Sequence, residues 1–211
     1  MISDGEIDEI PALFTGKNLF QTNLTGNLQQ TFTTTAFSFE PTGVSYNPAN
    51  RFLYFSDDNA DQIFQLNPGT DGAYNTSDDF ASSLFSTRSF NGFDPEDVAF
   101  STTLGDLFLV DGVNAEVYRV TTGGTLVSQF DTESLGILDP EGITFLDNGN
   151  LAIVGRPSNI VAEITTSGSL VRTYDISAAN PVKPAGLTFA PSSQNPNQRS
   201  LYIVDRGVDN N

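Results

Sequence analysis

The sequence has no cysteine, no histidine and no tryptophan, and only nine lysines and arginines in 211 residues. Without cysteine there is no disulfide, no thiol nucleophile and no thiolate zinc site. Without histidine there is no Ser-His-Asp triad, no imidazole metal ligand and no imidazole base near neutral pH. Aliphatic and aromatic runs are short, such as Leu107-Phe108-Leu109-Val110, far below the roughly 18–20 residues of a membrane-spanning helix. The opening, Met1-Ile2-Ser3-Asp4-Gly5-Glu6, is acidic where a secretory signal is basic and then apolar. No membrane insertion is therefore expected. The reading is a secreted or cell-surface domain cut from a longer bacterial chain, with a cytosolic chain as the other option.

What is present is acid. Twenty-six Asp and Glu give a formal net charge of −17, although only 17% of residues are charged and 38% are hydrophobic. Such a field repels phosphate backbones and anionic lipid, which excludes nucleic acid as a partner and leaves cations and neutral ligands. Chemistry here rests on carboxylates, hydroxyls, amides, six tyrosines or a hard cation.

A proline-centred tetrad recurs four times: Glu40-Pro41-Thr42-Gly43, Asp94-Pro95-Glu96-Asp97, Asp139-Pro140-Glu141-Gly142 and Lys183-Pro184-Ala185-Gly186. The steps from proline to proline are 54, 45 and 44 residues, the span of a propeller blade. Each tetrad opens a short alternating strand (Val98-Ala99-Phe100, Ile143-Thr144-Phe145). A second strand follows a polar turn (Leu53-Tyr54-Phe55-Ser56, Leu151-Ala152-Ile153-Val154), then third and fourth strands. Short β-rich segments separated by Gly, Asn and Pro are meander chemistry, and no amphipathic helix interrupts them.

The spacing predicts an all-β fold: a β-propeller of four-stranded antiparallel blades, over residues 17–211, after an N-terminal extension of residues 1–16. Leu19-Phe20-Gln21-Thr22 aligns with Val117-Tyr118-Arg119-Val120, so the chain starts on third and fourth strands and stops after first and second ones. Two half-blades and three whole ones make four blades if the halves pair, which removes exposed edges. The alternative is a fragment of a larger propeller.

Loops before first strands and after second strands share one face. That face gathers Glu96 and Glu141 from the tetrads, and Asp57, Asp111, Asp205, Arg156 and Arg206 from second-strand ends. Carboxylates converging on a rigid concave scaffold suit a ligand or cation, with the arginines able to form a metal-free ring of ion pairs. Each acid alone also fits ordinary turn chemistry. A second candidate is the enlarged loop Asn67 to Asp79, where Asp71, Asn75, Asp78 and Asp79 offer the hard oxygens calcium takes, though without EF-hand spacing. An unliganded set of Asx turns is the other reading of that loop.

The tetrads and strands, above all Asp139-Pro140-Glu141-Gly142-Ile143-Thr144-Phe145 followed by Asn150-Leu151-Ala152-Ile153-Val154, resemble NHL-type and SdiA-regulated-like β-propeller repeats of bacterial, often exported, proteins. The likeness covers about residues 17 to 206. The enlarged loop resembles loops of large secreted, calcium-associated bacterial proteins. A wider kinship to gluconolactonase-like propellers implies a divalent ion held in the funnel, with Glu96 or Glu141 matching the Glu that opens a first strand there. The resemblance does not place that group's Asn ligands or its acid/base Asp on residues of this sequence. Two functional classes follow. The first is an extracellular binding scaffold for a protein, glycan or small molecule, associated with calcium. The second is a metal-dependent hydrolase of lactones or phosphoesters. Degenerate repeats, the missing histidine and the lack of one distinctive catalytic cluster put binding first.

Overall fold

In the second strand of each repeat, consecutive side chains point to opposite faces of the sheet, yet Leu107, Phe108, Leu109 and Val110 are all buried. Such a strand needs a core on both sides, which a sheet obtains only between two neighbours. The computed structural model, which describes residues 1–5 and 14–206, has that stacking. The N-terminal sheet contains β1 (Ile2–Ser3), β2 (Leu19–Thr22) and β3 (Leu28–Phe32). Blade I is β4 (Pro41–Asn47), β5 (Phe52–Asp57), β6 (Gln62–Asn67) and β7 (Phe80–Ser86). Blade II is β8 (Pro95–Phe100), β9 (Asp106–Asp111), β10 (Glu116–Thr121) and β11 (Leu126–Asp131). Blade III is β12 (Asp139–Phe145), β13 (Leu151–Arg156), β14 (Ile160–Ile164) and β15 (Leu170–Asp175), and the C-terminal sheet is β16 (Pro184–Pro191) with β17 (Arg199–Asp205). The chain is thus an all-β propeller of four-stranded antiparallel blades: three are complete, with three further strands at the N-terminal end and two at the C-terminal end. Helix among the described residues is confined to 3-10 turns at Thr87–Phe90, Glu133–Leu135 and Ser177–Ala179, each leading from a fourth strand to the next first strand.

The cores lie between blades. Leu107 and Leu109 pack with Tyr54, Ile63 and Tyr118 against blade I, whereas Phe108 and Val110 pack with Ile143, Leu151 and Ile153 against blade III. Leu53 and Phe55 meet Leu19 and Phe32 of the N-terminal sheet, and Ala152 and Val154 meet Leu187, Leu201 and Ile203 of the C-terminal one. The aromatic content is used here, with Phe55 and Phe108 fully buried.

The first strands β4, β8, β12 and β16 stand side by side and line one cavity of about 1760 Å³. Each carries a β-bulge immediately after its proline. There the backbone of one blade approaches the next very closely. A Cβ added to Gly142 would sit 2.1 Å from the Ala185 carbonyl oxygen, and one on Gly43 would sit 2.2 Å from Asp97 Oδ1. Asp97, buried, accepts hydrogen bonds from its neighbour's Val98 amide (2.8 Å) and from the Ile143 amide of blade III (2.9 Å). Thr42 Oγ1 donates to the Pro95 carbonyl (2.9 Å), so both sides of blade II are pinned.

One expectation is corrected. The terminal half-blades do not pair with each other, because β1 occupies the edge of β2 that β17 would require, with Ser3 opposite Leu19 and Ile2 opposite Phe20. Ile2-Ser3-Asp4-Gly5 follows the pattern of Leu109-Val110-Asp111-Gly112 and takes the second-strand place beside a third strand, as Val110 does opposite Val117. Ile2 and Ser3 therefore belong to the N-terminal sheet, whereas residues 6–13 of the expected extension, and 207–211 at the other end, lie outside the described residues.

The close approach is testable. Gly142→Ala should destabilise the fold by about 1–3 kcal/mol, since backbone and not a flexible side chain blocks the new methyl group. Gly123→Ala, whose nearest neighbour would be Thr121 Oγ1 at 3.8 Å, should stay within about 0.5 kcal/mol. Urea denaturation of both variants checks the pair, and equal midpoints would contradict the packing described.

Candidate functional site

Three of the expected site residues turn out to hold loops. Asp57 accepts from Ser38 Oγ (2.6 Å), the Glu40 amide (3.3 Å) and the Ala60 amide (2.8 Å). Asp111 accepts from the amides of Phe93 (2.7 Å), Asp94 (3.1 Å) and Asn114 (2.9 Å). Asp205 accepts from the amides of Val182 (3.0 Å) and Lys183 (2.7 Å). Each stands opposite the proline of its own tetrad and ties down the segment that leads into it. In blade III, Gly155 takes this place opposite Pro140. The segment there is held instead by the Leu138 amide donating to the Arg156 carbonyl (2.8 Å).

The bulge after the proline turns the next side chain toward the axis, and Glu96 and Glu141 occupy that position. Glu141 is buried and accepts from Arg206 Nη2 at 2.7 Å. Arg156 pairs with Asp139 at 2.9 Å. The two arginines thus neutralise acids of blade III, and a different group converges beside them. One carboxylate oxygen from each of Asp58, Asp94 and Glu96 lies within 4.8 Å of the other two. Asp58 comes from blade I, Asp94 and Glu96 from blade II. Glu40 is hydrogen-bonded to Asp58, while Asp58 Oδ1 is buried with no hydrogen-bond partner.

Position by position around the mouth, the residues before the prolines are Glu40, Asp94, Asp139 and Lys183. Those following the residue opposite each proline are Asp58, Gly112, Arg156 and Arg206. At these positions blades I and II carry acids and no cation, whereas blade III carries Asp139 with Arg156 and the C-terminal sheet carries Lys183 and Arg206. Asp58 and Asp94 lie in the loops that the repeat pattern assigns to this face, but neither is among the residues that the pattern singles out. The signal was there: where Asp57 is the loop-holding residue of its repeat, Asp58 beside it is the spare acid.

The electrostatics follow from that segregation. Burial, then the charges of Glu141, Asp94 and Asp58, push Glu96 up to about 9. Burial, then Asp58 and Asp111, raise Asp94 to about 6. Burial also raises Asp58 and Glu141, the latter opposed by Arg206. Away from the axis, hydrogen bonds from Tyr174, Asn150, Arg172 and Asn148 hold Glu163 down at about 2.

The enlarged loop is organised by its own acids. Asp78 accepts from the Thr70 amide (2.7 Å), Thr70 Oγ1 (2.9 Å) and Thr76 Oγ1 (2.8 Å). Asp79 accepts from the amides of Asn75 (2.6 Å) and Thr76 (3.3 Å), and Asp71 from that of Ala73 (2.8 Å). Asn75 takes a left-handed conformation at φ 66°. Tyr74 anchors the loop, packing on the Leu53, Phe55 and Phe64 cluster and donating to the Arg51 carbonyl.

No protein-family model and no curated protein sequence matches the chain. Among solved structures, the chain is similar to virginiamycin B lyase from Staphylococcus aureus with quinupristin. The identity is 18% over 88% of this chain and 61% of the lyase, at a TM-score of 0.52. It is similar to a luciferin-regenerating enzyme at 18% identity over 79% of this chain and 54% of that one, with a TM-score of 0.54. It is also similar to a chain of the nidogen/laminin complex at 14% identity over 86% of this chain and 72% of that one, with a TM-score of 0.58. The chain thus spans about three fifths of the lyase's length. These neighbours are β-propeller proteins, and at such identities the likeness extends to the fold alone. No helix among the described residues is long and apolar enough to cross a membrane.

A pH prediction follows. Glu96 binds its proton more tightly folded than unfolded, so its contribution to stability is complete below its usual 4.5 and is lost as pH rises toward about 9. Asp94 acts likewise between 3.8 and about 6. Glu163 acts in the opposite sense, losing stability only as pH falls from 4.5 toward about 2. In metal-free buffer, Glu96→Gln should melt at least about 2 °C above the parent near pH 8 and level with it near pH 4.5. Parallel Tm curves across that range would contradict the assignment.

Proposed function

We propose that the chain is an NHL-like β-propeller binding module. Its acidic axial mouth takes a hard divalent cation, calcium for preference, at Asp58, Asp94 and Glu96. The observation that carries this is the meeting of one oxygen from each within 4.8 Å beside a buried Asp58 oxygen that lacks a partner. Two oxygens bound to one calcium at about 2.3–2.6 Å lie no more than about 5 Å apart, so the three fit a single ion, with water completing roughly six to eight ligands. An ion there would remove the mutual repulsion that raises Glu96 and Asp94. Extracellular calcium sites work near 10⁻⁴–10⁻³ M, a regime that a site of three acids and water suits, in keeping with the secreted setting inferred from the sequence.

The hydrolase reading has one supporting observation: the triad opens on a cavity of about 1760 Å³, room for a substrate. In that reading Asp58, Asp94 and Glu96 would hold the ion, which would supply a Lewis acid for a substrate oxygen, and a carboxylate outside the ligand set would accept a proton. Binding stands ahead of it. The chain has no histidine, the side chain that most often serves as general base.

Calorimetry with calcium chloride near pH 7.5 tests the reading. One binding event is expected, with a thermal stabilisation of about 2.7 kcal/mol at a hundred times the dissociation constant. Asp94→Asn or Glu96→Gln should abolish it, and the pair Asp71→Asn with Asp79→Asn should leave it unchanged. Loss with the loop pair and not with the axial variants would move the site to the enlarged loop and overturn the proposal.

A further inference from the structure

In the loops that lead into the first strands, one repeat position carries exposed apolar side chains. Two residues before each tetrad proline stand Phe39, Phe93, Leu138 and Val182, exposed at 60%, 46%, 61% and 55%. Single exposed apolar residues are ordinary on protein surfaces, but here the same position is apolar in four consecutive repeats, in loops on the face where the mouth opens, and recurrent apolar exposure on one face marks an interaction site. The backbone under each is held: at Phe39 by the bonds of Ser38 and Glu40 to Asp57, and at Phe93 by its amide on Asp111. Leu138 is held through the Arg156 carbonyl, and Val182 through Asp205. The side chains are therefore presented by a scaffold that needs no ordering on binding, which favours association.

We infer that this face docks a segment of a partner protein that presents a lysine or arginine flanked by apolar residues. The cation would enter the mouth against Asp58, Asp94 and Glu96, and its apolar neighbours would lie on the rim. Charge complementarity selects this occupant. A second copy of the chain would bring another −17 and the same acidic mouth, and an anionic bilayer is repelled. A neutral glycan would bring no counter-charge to the acidic mouth. The inference rests on the binding-module reading and names its partner.

The test is selection of random twelve-residue peptides displayed on phage against the full chain in metal-free buffer, with affinities then measured by fluorescence anisotropy. Enriched peptides should carry Lys or Arg between apolar residues, bind more weakly as salt rises, and compete with calcium. They should lose at least tenfold in affinity to the double variant Phe39→Ser, Phe93→Ser and to Leu138→Ser. These substitutions lie on the surface, and unchanged Tm and unchanged calcium binding would show that the variants are intact. No enrichment, peptides without a cation, or equal affinity for the rim variants would overturn the inference. So would a dimer in light scattering that the rim variants dissolve, or binding to zwitterionic vesicles that peptides do not displace. Selected peptides without calcium binding would support this inference while removing the axial-calcium proposal; calcium binding without selected peptides would do the reverse.

Discussion

The first strands of neighbouring blades run so close together that a methyl group is too much. Gly142 faces the Ala185 carbonyl and Gly43 faces Asp97, and the bulge beside each is how the strand makes room. That extra residue cannot join the ladder, so its side chain turns to the axis. Where it is Glu96 or Glu141, the channel receives a carboxylate; where it is Thr42, the hydroxyl pins the adjacent blade through the Pro95 carbonyl. Blade packing, strand irregularity and the chemistry of the mouth are thus one constraint seen at three levels.

Charge is distributed unevenly over this frame. Arg156 and Arg206 satisfy Asp139 and Glu141 on one side, while Glu40, Asp58, Asp94 and Glu96 crowd together on the other. A symmetrical ring would have placed one arginine between each pair of acids. The repeats diverged instead, and the mouth has an acidic half and a neutralised half. Its field is directional, which orients a cationic ligand before contact.

Much of the fold was legible because the tetrads recur and because strands such as Leu151-Ala152-Ile153-Val154 must be buried on both faces. The short β1 was not, since Ile2 and Ser3 are too few for any periodicity. Its kinship with Leu109-Val110 shows only once the Asp and Gly that follow are aligned. The site was legible as a face and not as a set of roles. Asp57, Asp111 and Asp205 look available in sequence, but their lone pairs are occupied by backbone amides that only the fold brings near. Sequence also named Arg156 and Arg206 without showing that both serve blade III. In the enlarged loop the acids are visible in sequence, but the anchoring role of Tyr74 depends on the Leu53, Phe55 and Phe64 cluster that only the fold brings under it.

The sharing of each core between two sheets has a consequence for how the molecule comes apart. No blade owns its hydrophobic interior, so the array behaves as a one-dimensional stack in which every unit depends on its neighbours. Blade II has a core on both sides, whereas among the described residues the C-terminal sheet has one, built around Ala152, Val154, Val161 and Leu187. Amide hydrogen exchange should therefore be graded along the chain, slowest in β9 and fastest at β17. Opening would travel inward from that end like a zipper, and Arg206, carried on the segment that leaves first, would release Glu141 before the acidic half of the mouth has moved.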